Sequence, residues 1–233
     1  FDAGGTYTDA VIFDSDLKKV VSSGKSLTTS NNLAIGLNKA LKKSLSNAPL
    51  IPIGKISLVS LSTTLATNAV VNSNGGRVGL ILIGFSKSIL DNLELKKSIN
   101  QGFVKLIKGG HNADGKEINP LDTKAIKSIM NNELANVDSI AITSQFSVRN
   151  NDHEIKTRNL IREYYNIPIT CSYELTSNLN GPRRALTCVL NASLTGVIEE
   201  LIKDVSEMIK SNNMTAKLMV VKGDGSLINT KVA

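Results

Sequence analysis

Residues 1–9 of this chain, FDAGGTYTD, set our expectation for everything that follows them. Two glycines and two threonines stand between a pair of aspartates, in a turn flanked by strand-like residues. Glycines let the backbone approach a bulky anion, and hydroxyls with unpaired backbone N–H groups can hold phosphate oxygens. Because Asp2 and Asp9 would repel a phosphate, we expect them to hold Mg²⁺ or its water shell. The stretch therefore predicts a nucleotide polyphosphate site, although an ordinary Gly-Gly hairpin uses the same residue types.

The composition is typical of a soluble globular chain that forms one large or two small domains. Hydrophobic residues make up 41% of the 233 residues and charged residues 20%. No apolar run approaches the roughly 18 residues of a membrane span. The net charge of +7 is spread over many segments and aromatic residues are only 4%, which argues against nucleic-acid binding. Cys171 and Cys188 lack metal-ligand spacing and suit a reducing compartment, so we expect a cytoplasmic protein. From the apolar runs and the charge distribution we expect no membrane and no nucleic-acid partner.

Strand and helix patterns alternate along the chain. After the opening turn, residues 10–13 and 18–27 predict two further strands of a meander, which differs from the strand-loop-helix of a P-loop. Leucines at every fourth position from Leu33 to Leu45 predict an amphipathic helix capped within residues 30–32. Further strands are predicted at residues 56–61, 77–84, 139–143, 167–170 and 217–221, and helices at 121–134, 152–161 with Asp152 as cap, and 182–211. We therefore expect an α/β fold with a partly parallel sheet, and irregular structure over residues 85–120.

Two later stretches repeat the chemistry of the opening turn. Residues 62–69, STTLATNA, place hydroxyls and an asparagine where a strand gives way to a helix, which suits an anion. A serine or threonine there often only caps the helix, but Thr63, Thr64 and Asn68 exceed what a cap needs. Residues 222–227, KGDGSL, form a second Gly-Asp-Gly-hydroxyl turn directly after a strand. A chance hairpin would give the same pattern.

His111 lies in a glycine-flanked turn beside an acid, within GGHNADG at residues 109–115. A histidine in such a turn can face a substrate or a metal ion. The default expectation for a lone histidine in this setting is an exposed loop residue.

Taken in order, these motifs resemble those of the ATP-dependent hydantoinase/oxoprolinase family, within the superfamily of actin, hexokinase and heat-shock ATPases. The opening turn is similar to the family's Asp-x-Gly-Gly-Thr-x-Thr-Asp, and residues 62–69 are similar to its Gly-Thr-Thr-x-Ala-Thr-Asn-Ala. Further matching stretches lie at residues 109–122, 151–154, 184–192 and 223–226. The chain departs from the family pattern at Leu61 and Ser62, where His-Gly is common, and at Asp152, which replaces a proline.

The resemblance implies an α/β fold of the ribonuclease H-like, actin-like ATPase type, with a mixed sheet and flanking helices. It implies an N-terminal hydantoinase/oxoprolinase domain at residues 1–175, with an irregular insertion at about 85–120. Residues 176–233 would begin a hydantoinase A domain. Because the family has a second lobe beyond this point, we expect a fragment with that lobe truncated, and inactive when isolated.

By the same resemblance, ATP phosphorylates the carbonyl oxygen of a cyclic amide such as hydantoin or oxoproline, and water then opens the ring. The implied cofactors are ATP and Mg²⁺, with Asp2 and Asp9 as the catalytic and metal-holding residues. The other implied nucleotide contacts are Gly4, Gly5, Thr6, Thr8, Thr63, Thr64, Asn68, Gly223, Asp224, Gly225 and Ser226. The weaker candidates for substrate contact or structural support are His111, His153, Glu154 and Arg184.

Three other functions stay open at this point. A sugar- or acid-kinase-like phosphotransferase would use similar phosphate turns. A ketone carboxylase subunit would activate an enolate in the same way. A nucleotide-gated binding protein would bind ATP without turnover. The expected partners are a small cyclic amide, a hydantoinase B-type subunit and further copies of this chain.

Overall fold

The computed structural model describes residues 1–29, 33–64, 75–99 and 101–230. The chain forms two compact units, of which unit 1 is Phe1–Val71 with Val197–Ala233 and unit 2 is Asn72–Gly196. The helix cap predicted at residues 30–32 and the predicted contact Asn68 lie outside the described residues. The predicted division at residue 175 concerns family domains, and it stays a prediction.

Strands and helices alternate along the chain, as the sequence predicts. The strands are β1 (Asp2–Ala3), β2 (Tyr7–Asp14), β3 (Lys19–Leu27), β4 (Leu58–Thr63), β5 (Val78–Ile83), β6 (Phe103–Ile107), β7 (Ser139–Ser144), β8 (Ile169–Cys171), β9 (Lys217–Val221) and β10 (Leu227–Asn229). The α-helices are α1 (Leu33–Ser46), α2 (Leu93–Ser98), α3 (Thr123–Asn132), α4 (Asp152–Arg162), α5 (Ser172–Leu175) and α6 (Gly181–Ser211). Short 3-10 turns lie at Ile53–Lys55, Lys87–Asp91 and Leu134–Asn136.

Among the described residues, unit 1 is built on a six-stranded mixed sheet in the order β10-β9-β4-β1-β2-β3. The predicted meander is confirmed, since β1, β2 and β3 pair antiparallel. β4 pairs parallel with both β1 and β9. The α1 helix covers one face with Leu37 and Leu41 buried, as their spacing predicts. It lies so close to β3 that a Cβ atom on Gly24 would overlap the carbonyl oxygen of Ala40.

Unit 2 is built on a parallel sheet of four described strands in the order β6-β5-β7-β8. Every residue of β5 and β7 is buried, because helices pack on both faces of this sheet. One apolar cluster includes residues of α3 and α4, and the other includes residues of α2 and α6. The sequence predicted one mixed sheet, whereas the structure divides the strands between two sheets.

The prediction of irregular structure over residues 85–120 was wrong where α2 and β6 form. β6 pairs parallel with β5 along its full length, at the edge of the sheet. The apolar pattern of the sequence does not reveal β6, because this strand is short and Lys105 interrupts its apolar residues. The Nζ atom of Lys105 instead lies 2.6 Å from Glu133 Oε1.

Two other local predictions need correction. Asp152 is the first residue of α4 rather than its cap, and the capping position belongs to Asn151. The backbone N–H of Asp152 donates to Asn150 Oδ1 at 3.0 Å. β4 lies two residues later than predicted, because Ser62 and Thr63 continue the strand by pairing with β1.

Within the described residues, α6 is the one helix that is long and apolar enough to cross a membrane. Its first half buries Ala185 and Val189 in the core of unit 2, and its second half buries Leu201 and Val205 in the core of unit 1. A core helix passes the same test of length and composition, so this feature is weak evidence for a membrane span.

Candidate functional site

Asp2 and Asp9 lie directly opposite each other across β1 and β2. The same transverse row of the sheet continues to Ser62 on β4 and to Lys25 on β3. Residues paired in this way project from the same face of a sheet, and like charges directly opposite are unfavourable. Lys25 Nζ lies 3.2 Å from Asp9 Oδ1 and relieves part of that repulsion. A second cation beside Asp2 would further reduce the repulsion between the carboxylates of Asp2 and Asp9.

The neighbouring row of the sheet projects to the other face, toward α1. In it Ala3 pairs with Thr8 on β2 and with Thr63 on β4. Thr8 is buried with its Oγ1 atom 2.9 Å from Thr28 Oγ1. The Thr63 hydroxyl donates to the Ala3 carbonyl at 2.8 Å. The hydroxyls of Thr8 and Thr63 therefore support the opening turn, and their predicted contact with phosphate stays a prediction.

The opening turn itself is fixed at its base and exposed at its tip. The Gly4 N–H donates to the Tyr7 carbonyl at 3.1 Å, and the Thr28 hydroxyl donates to the Gly4 carbonyl at 2.8 Å. A Cβ atom on Gly4 would lie 2.9 Å from the Tyr7 carbonyl oxygen, so only glycine fits without a shift. Gly5 and Thr6 form the exposed tip. Their N–H groups have no partner in the described part of the chain, which leaves them available to an anion.

The second glycine turn closes the hairpin between β9 and β10. Gly225 has a φ of +81°, and the Lys222 N–H donates to the Ser226 carbonyl at 2.8 Å. Asp224 Oδ1 accepts from both the hydroxyl and the N–H of Ser226. Hydrogen bonds from the Ser226 hydroxyl and N–H hold the pKa of Asp224 below its usual range. The turn is thus the hairpin that the sequence allowed, and its phosphate contacts stay predictions.

The three predicted phosphate segments leave the same edge of the unit 1 sheet. β1, β4 and β9 are adjacent and parallel, so their carboxyl ends lie together. The opening turn follows β1, Thr64 follows β4, and the second glycine turn follows β9. Carboxyl ends of adjacent parallel strands are a common location for ligand sites in α/β proteins.

The described residues hold no group of three or more His, Cys, Asp or Glu side chains that could enclose a metal ion. Mg²⁺ that binds with a nucleotide needs only one or two carboxylates, because phosphate oxygens and water complete its coordination. Asp2 and Asp9, in one row beside the opening turn, fit that requirement.

The rings of His111 and His153 are in contact in unit 2, with their centroids 4.3 Å apart and their planes tilted by 43°. The expectation of an exposed loop histidine was wrong, since His111 is only 2% exposed. Nδ1 of His153 accepts from the Gly110 N–H at 3.0 Å, so its proton lies on Nε2, 2.8 Å from Glu117 Oε1. Burial and the neighbouring His153 lower the pKa of His111.

Glu154 and Arg184 are both buried in unit 2, and their polar groups bind the protein itself. Glu154 accepts from the N–H of Ser144 at 2.7 Å, the hydroxyl of Ser172 at 2.7 Å and the N–H of Tyr173 at 3.2 Å. Burial raises the pKa of Glu154 although these donors oppose the shift. Arg184 donates to three backbone carbonyls. These partners favour structural support over substrate contact for both residues.

Sequence reasoning missed Lys25 and Thr28 as parts of the opening turn's surroundings. Lys25 sits in a predicted strand, and only the pairing register places it opposite Asp9. Thr28 is 24 residues from Gly4 in sequence and contacts it through the meander. No local signal marks either residue.

Comparison with known proteins now identifies the class to which this fold and these turns belong. A sequence profile described as the hydantoinase/oxoprolinase N-terminal region matches residues 1–165. This chain is a member of the hydantoinase/oxoprolinase family, as its motifs predict.

Relatives with different names share this sequence. The caprolactamase subunit alpha of Pseudomonas jessenii is 26% identical over 97% of this chain and 35% of the relative. The acetophenone carboxylase gamma subunit of Aromatoleum aromaticum is 24% identical over 96% of this chain and 34% of the relative. The chain thus spans about a third of the length of these relatives.

Solved structures confirm the predicted α/β class of fold. A nucleotide-free acetone carboxylase, described as carrying out ATP-dependent acetone carboxylation, superposes with a TM-score of 0.77 at 20% identity. The match covers 99% of this chain and 36% of that chain. The α/β arrangement of sheets with flanking helices is therefore shared with that structure.

Proposed function

We propose that this chain is the N-terminal, phosphate-binding part of an ATP-dependent enzyme that opens a cyclic amide. The observation that carries the proposal is the convergence of three glycine- or hydroxyl-bearing segments at the carboxyl ends of β1, β4 and β9. Membership in the hydantoinase/oxoprolinase family and similarity to a caprolactamase subunit support it.

The residues of unit 1 divide into two roles at this edge. The N–H groups of Gly5 and Thr6 and the hydroxyl of Thr6 would bind the β- and γ-phosphates. Asp2 and Asp9 would hold Mg²⁺, which supplies charge neutralisation to the transferred phosphoryl group. Lys25 forms an exposed ion pair with Asp9. Phosphoryl transfer depends mostly on such positioning and neutralisation.

The proposed reaction consists of one phosphoryl transfer followed by hydrolysis. The amide oxygen attacks the γ-phosphorus of ATP, and the bond from that phosphorus to the bridging oxygen breaks and releases ADP. A first water attacks the phosphorylated carbon, and the ring C–N bond breaks as the nitrogen takes a proton, which leaves the opened chain as an acyl phosphate. A second water attacks that acyl carbon, and phosphate leaves. The products are ADP, phosphate and a ring-opened amino acid.

A ketone carboxylase subunit is the second candidate, because the acetophenone carboxylase gamma subunit is almost as similar as the caprolactamase subunit. Both relatives are named as subunits, so we also propose that a partner subunit completes the active enzyme. Phosphorylation of an enolate oxygen in place of an amide oxygen would use the same phosphate-binding edge. A kinase-like enzyme would instead release a stable phosphorylated product.

Calorimetry of Mg-ATP binding to the full-length protein tests the proposal. We expect micromolar binding that Asp2→Asn weakens at least about tenfold, a loss of ~1.4 kcal/mol. The matched control is Asp16→Asn, which removes the same charge from an exposed turn of unit 1 and should leave binding unchanged. Absence of binding, or equal losses in the two variants, would overturn the assignment of the phosphate site.

Product analysis then separates the candidate reactions. The full-length protein with its partner subunit is supplied with Mg-ATP and either ε-caprolactam or acetophenone with bicarbonate. ADP release that depends on the lactam supports the amide reaction, whereas dependence on the ketone supports the carboxylase. A protein that binds ATP and hydrolyses none with any substrate would be a nucleotide-gated binding protein.

A further inference from the structure

Lys25 is a basic residue on β3, beside the opening turn of unit 1. Its Nζ atom lies 3.2 Å from Asp9 Oδ1 and 5.1 Å from the centroid of the Tyr7 ring. The side chain is 58% exposed, and it projects from the same face of the sheet as Asp2 and Asp9. Its ammonium group is therefore accessible to a ligand on that face.

The contact with Tyr7 shows the direction in which the Lys25 side chain extends. Tyr7 pairs with Leu27, which lies two residues beyond Lys25 on β3. Since Tyr7 is the first residue of β2 and directly follows Thr6, an ammonium group above its ring lies beside the opening turn. The end of β3 is held at the same place, because the Thr28 N–H donates to the Thr6 carbonyl at 2.9 Å.

The opening turn itself supplies no cationic side chain. Residues 1–17 contain neither lysine nor arginine, and residues 62–69 contain neither as well. In the second glycine turn, Lys222 Nζ lies 3.7 Å from Asp224 Oδ2. A polyphosphate carries several negative charges, and lysine is a common point charge for binding them. Lys25 is placed to supply such a charge to an anion at the opening turn.

The ion pair between Lys25 and Asp9 can be exchanged at small cost. Exposed ion pairs contribute little to stability, because water solvates both partners. Mg²⁺ held by Asp9 would neutralise the carboxylate that attracts the ammonium group. The stem of a lysine is flexible, so its ammonium group can turn to a new acceptor.

We propose that Lys25 binds a phosphate oxygen of the polyphosphate at the opening turn, and that it leaves Asp9 as that carboxylate takes up Mg²⁺. The carboxylate then pairs with the metal, and the ammonium group pairs with the phosphate. The identity of the ligand as ATP rests on the proposed function, whereas the place of Lys25 beside the opening turn follows from contacts within unit 1.

A lysine that only neutralises Asp9 would give the opposite result on replacement. Its removal would free the carboxylate for Mg²⁺ and strengthen the binding of Mg-ATP. The sign of the change in affinity therefore separates a phosphate contact from a purely structural ion pair.

The test compares Mg-ATP binding by the full-length wild type, Lys25→Gln and Lys19→Gln, by calorimetry. We expect Lys25→Gln to weaken binding at least about tenfold, because it removes a charge-assisted hydrogen bond. The matched control Lys19→Gln removes the same charge from an exposed position on the same strand, about 20 Å from Lys25, and should leave binding unchanged. Thermal denaturation of each variant confirms that it folds.

Acetylation of lysines by acetic anhydride, followed by mass spectrometry, gives a second measurement that does not depend on activity. Mg-ATP should protect Lys25 of the wild type from acetylation and leave the acetylation of Lys19 unchanged. Both measurements are repeated with Mg-tripolyphosphate, which offers the phosphates without a nucleoside.

Unchanged or tighter Mg-ATP binding by folded Lys25→Gln, or equal acetylation of Lys25 with and without Mg-ATP, would overturn the proposal and leave the proposed function standing. A wild type that binds Mg-tripolyphosphate but no Mg-ATP, with Lys25→Gln weakening that binding, would keep the Lys25 contact and remove the proposed function. Absence of binding for both probes would overturn both.

Discussion

Replacement of Glu154 by alanine tests whether the buried hydrogen-bond network around this residue stabilises unit 2. Glu154 lies on α4 with no exposed surface, and its carboxylate accepts hydrogen bonds from Ser144, Ser172 and Tyr173. Glu154→Ala removes these acceptors and leaves the backbone N–H groups of Ser144 and Tyr173 without them. Alanine is compatible with a helix, so α4 itself should not be weakened.

The expected loss follows from counting the groups left unpaired. One buried and one partly buried N–H group, at about 1–3 kcal/mol each, give about 2–6 kcal/mol. The Ser172 hydroxyl adds little because the Ser147 hydroxyl, 3.2 Å away, can take its hydrogen bond. Removal of a buried carboxylate recovers part of its desolvation cost, so the net loss should fall near ~2–4 kcal/mol at pH 7. With a urea dependence of ~2 kcal/mol per molar, the unfolding midpoint of unit 2 should drop by ~1–2 M.

The assay is urea unfolding of the protein, and hydrogen–deuterium exchange of peptides from β7 is measured as a second, local readout. The matched control is Glu163→Ala at the exposed end of the same helix, where we expect a change below about 0.5 kcal/mol. Equal midpoints for Glu154→Ala and Glu163→Ala would refute the reasoning.

A pH series adds an independent check on the same variant. Burial raises the pKa of Glu154, so the folded protein holds this proton more tightly than the unfolded chain does. The contribution of Glu154 to stability is therefore fully present below the unfolded value of 4.5, and it declines as pH rises through the raised value. The difference between wild type and Glu154→Ala should narrow from pH 5 to pH 8, and a widening difference would contradict the assigned shift.

Three further outcomes are expected. Gly24→Ala should destabilise the protein by about 1–3 kcal/mol because its methyl group would overlap α1, whereas Gly54→Ala, with open space around it, should be nearly neutral by thermal denaturation. Burial raises the pKa of Cys171 to about 12 and raises the pKa of Cys188 as well. Both thiols should therefore react with Ellman's reagent only as fast as the protein unfolds. Rapid labelling of the folded protein at pH 8 would be inconsistent with this burial. Burial lowers the pKa of His111 below 6.5, so the unfolded chain binds a proton at this histidine more readily than the folded protein does, and stability should fall as pH drops below about 6.5. His111→Gln should therefore reduce the decrease in the urea unfolding midpoint between pH 7.5 and pH 5.5. An unchanged decrease would exclude His111 as the cause of this pH dependence.

Local patterns were enough to predict most of the elements and the opening turn. Leucine spacing located α1, continuous apolar runs located β5 and β7, and Asp122 caps α3 with its side chain accepting from the Ala125 N–H. β6 escaped because Lys105 interrupts a five-residue edge strand. His111 was misjudged because it is buried and contacts His153, 42 residues later, and a turn sequence carries no signal of that contact.

The sequence by itself determined the family, the alternation of strands and helices, and the residue types of each glycine turn, because these depend on motifs and periodicities within a few residues. Only the tertiary structure decided that the strands form two sheets and that the segments after β1, β4 and β9 share one edge. It also decided that Asp2, Asp9 and Lys25 form one row. Strand order and register depend on pairing between residues far apart in the chain, and the free energy of that pairing lies in packing and backbone hydrogen bonds that no local pattern encodes.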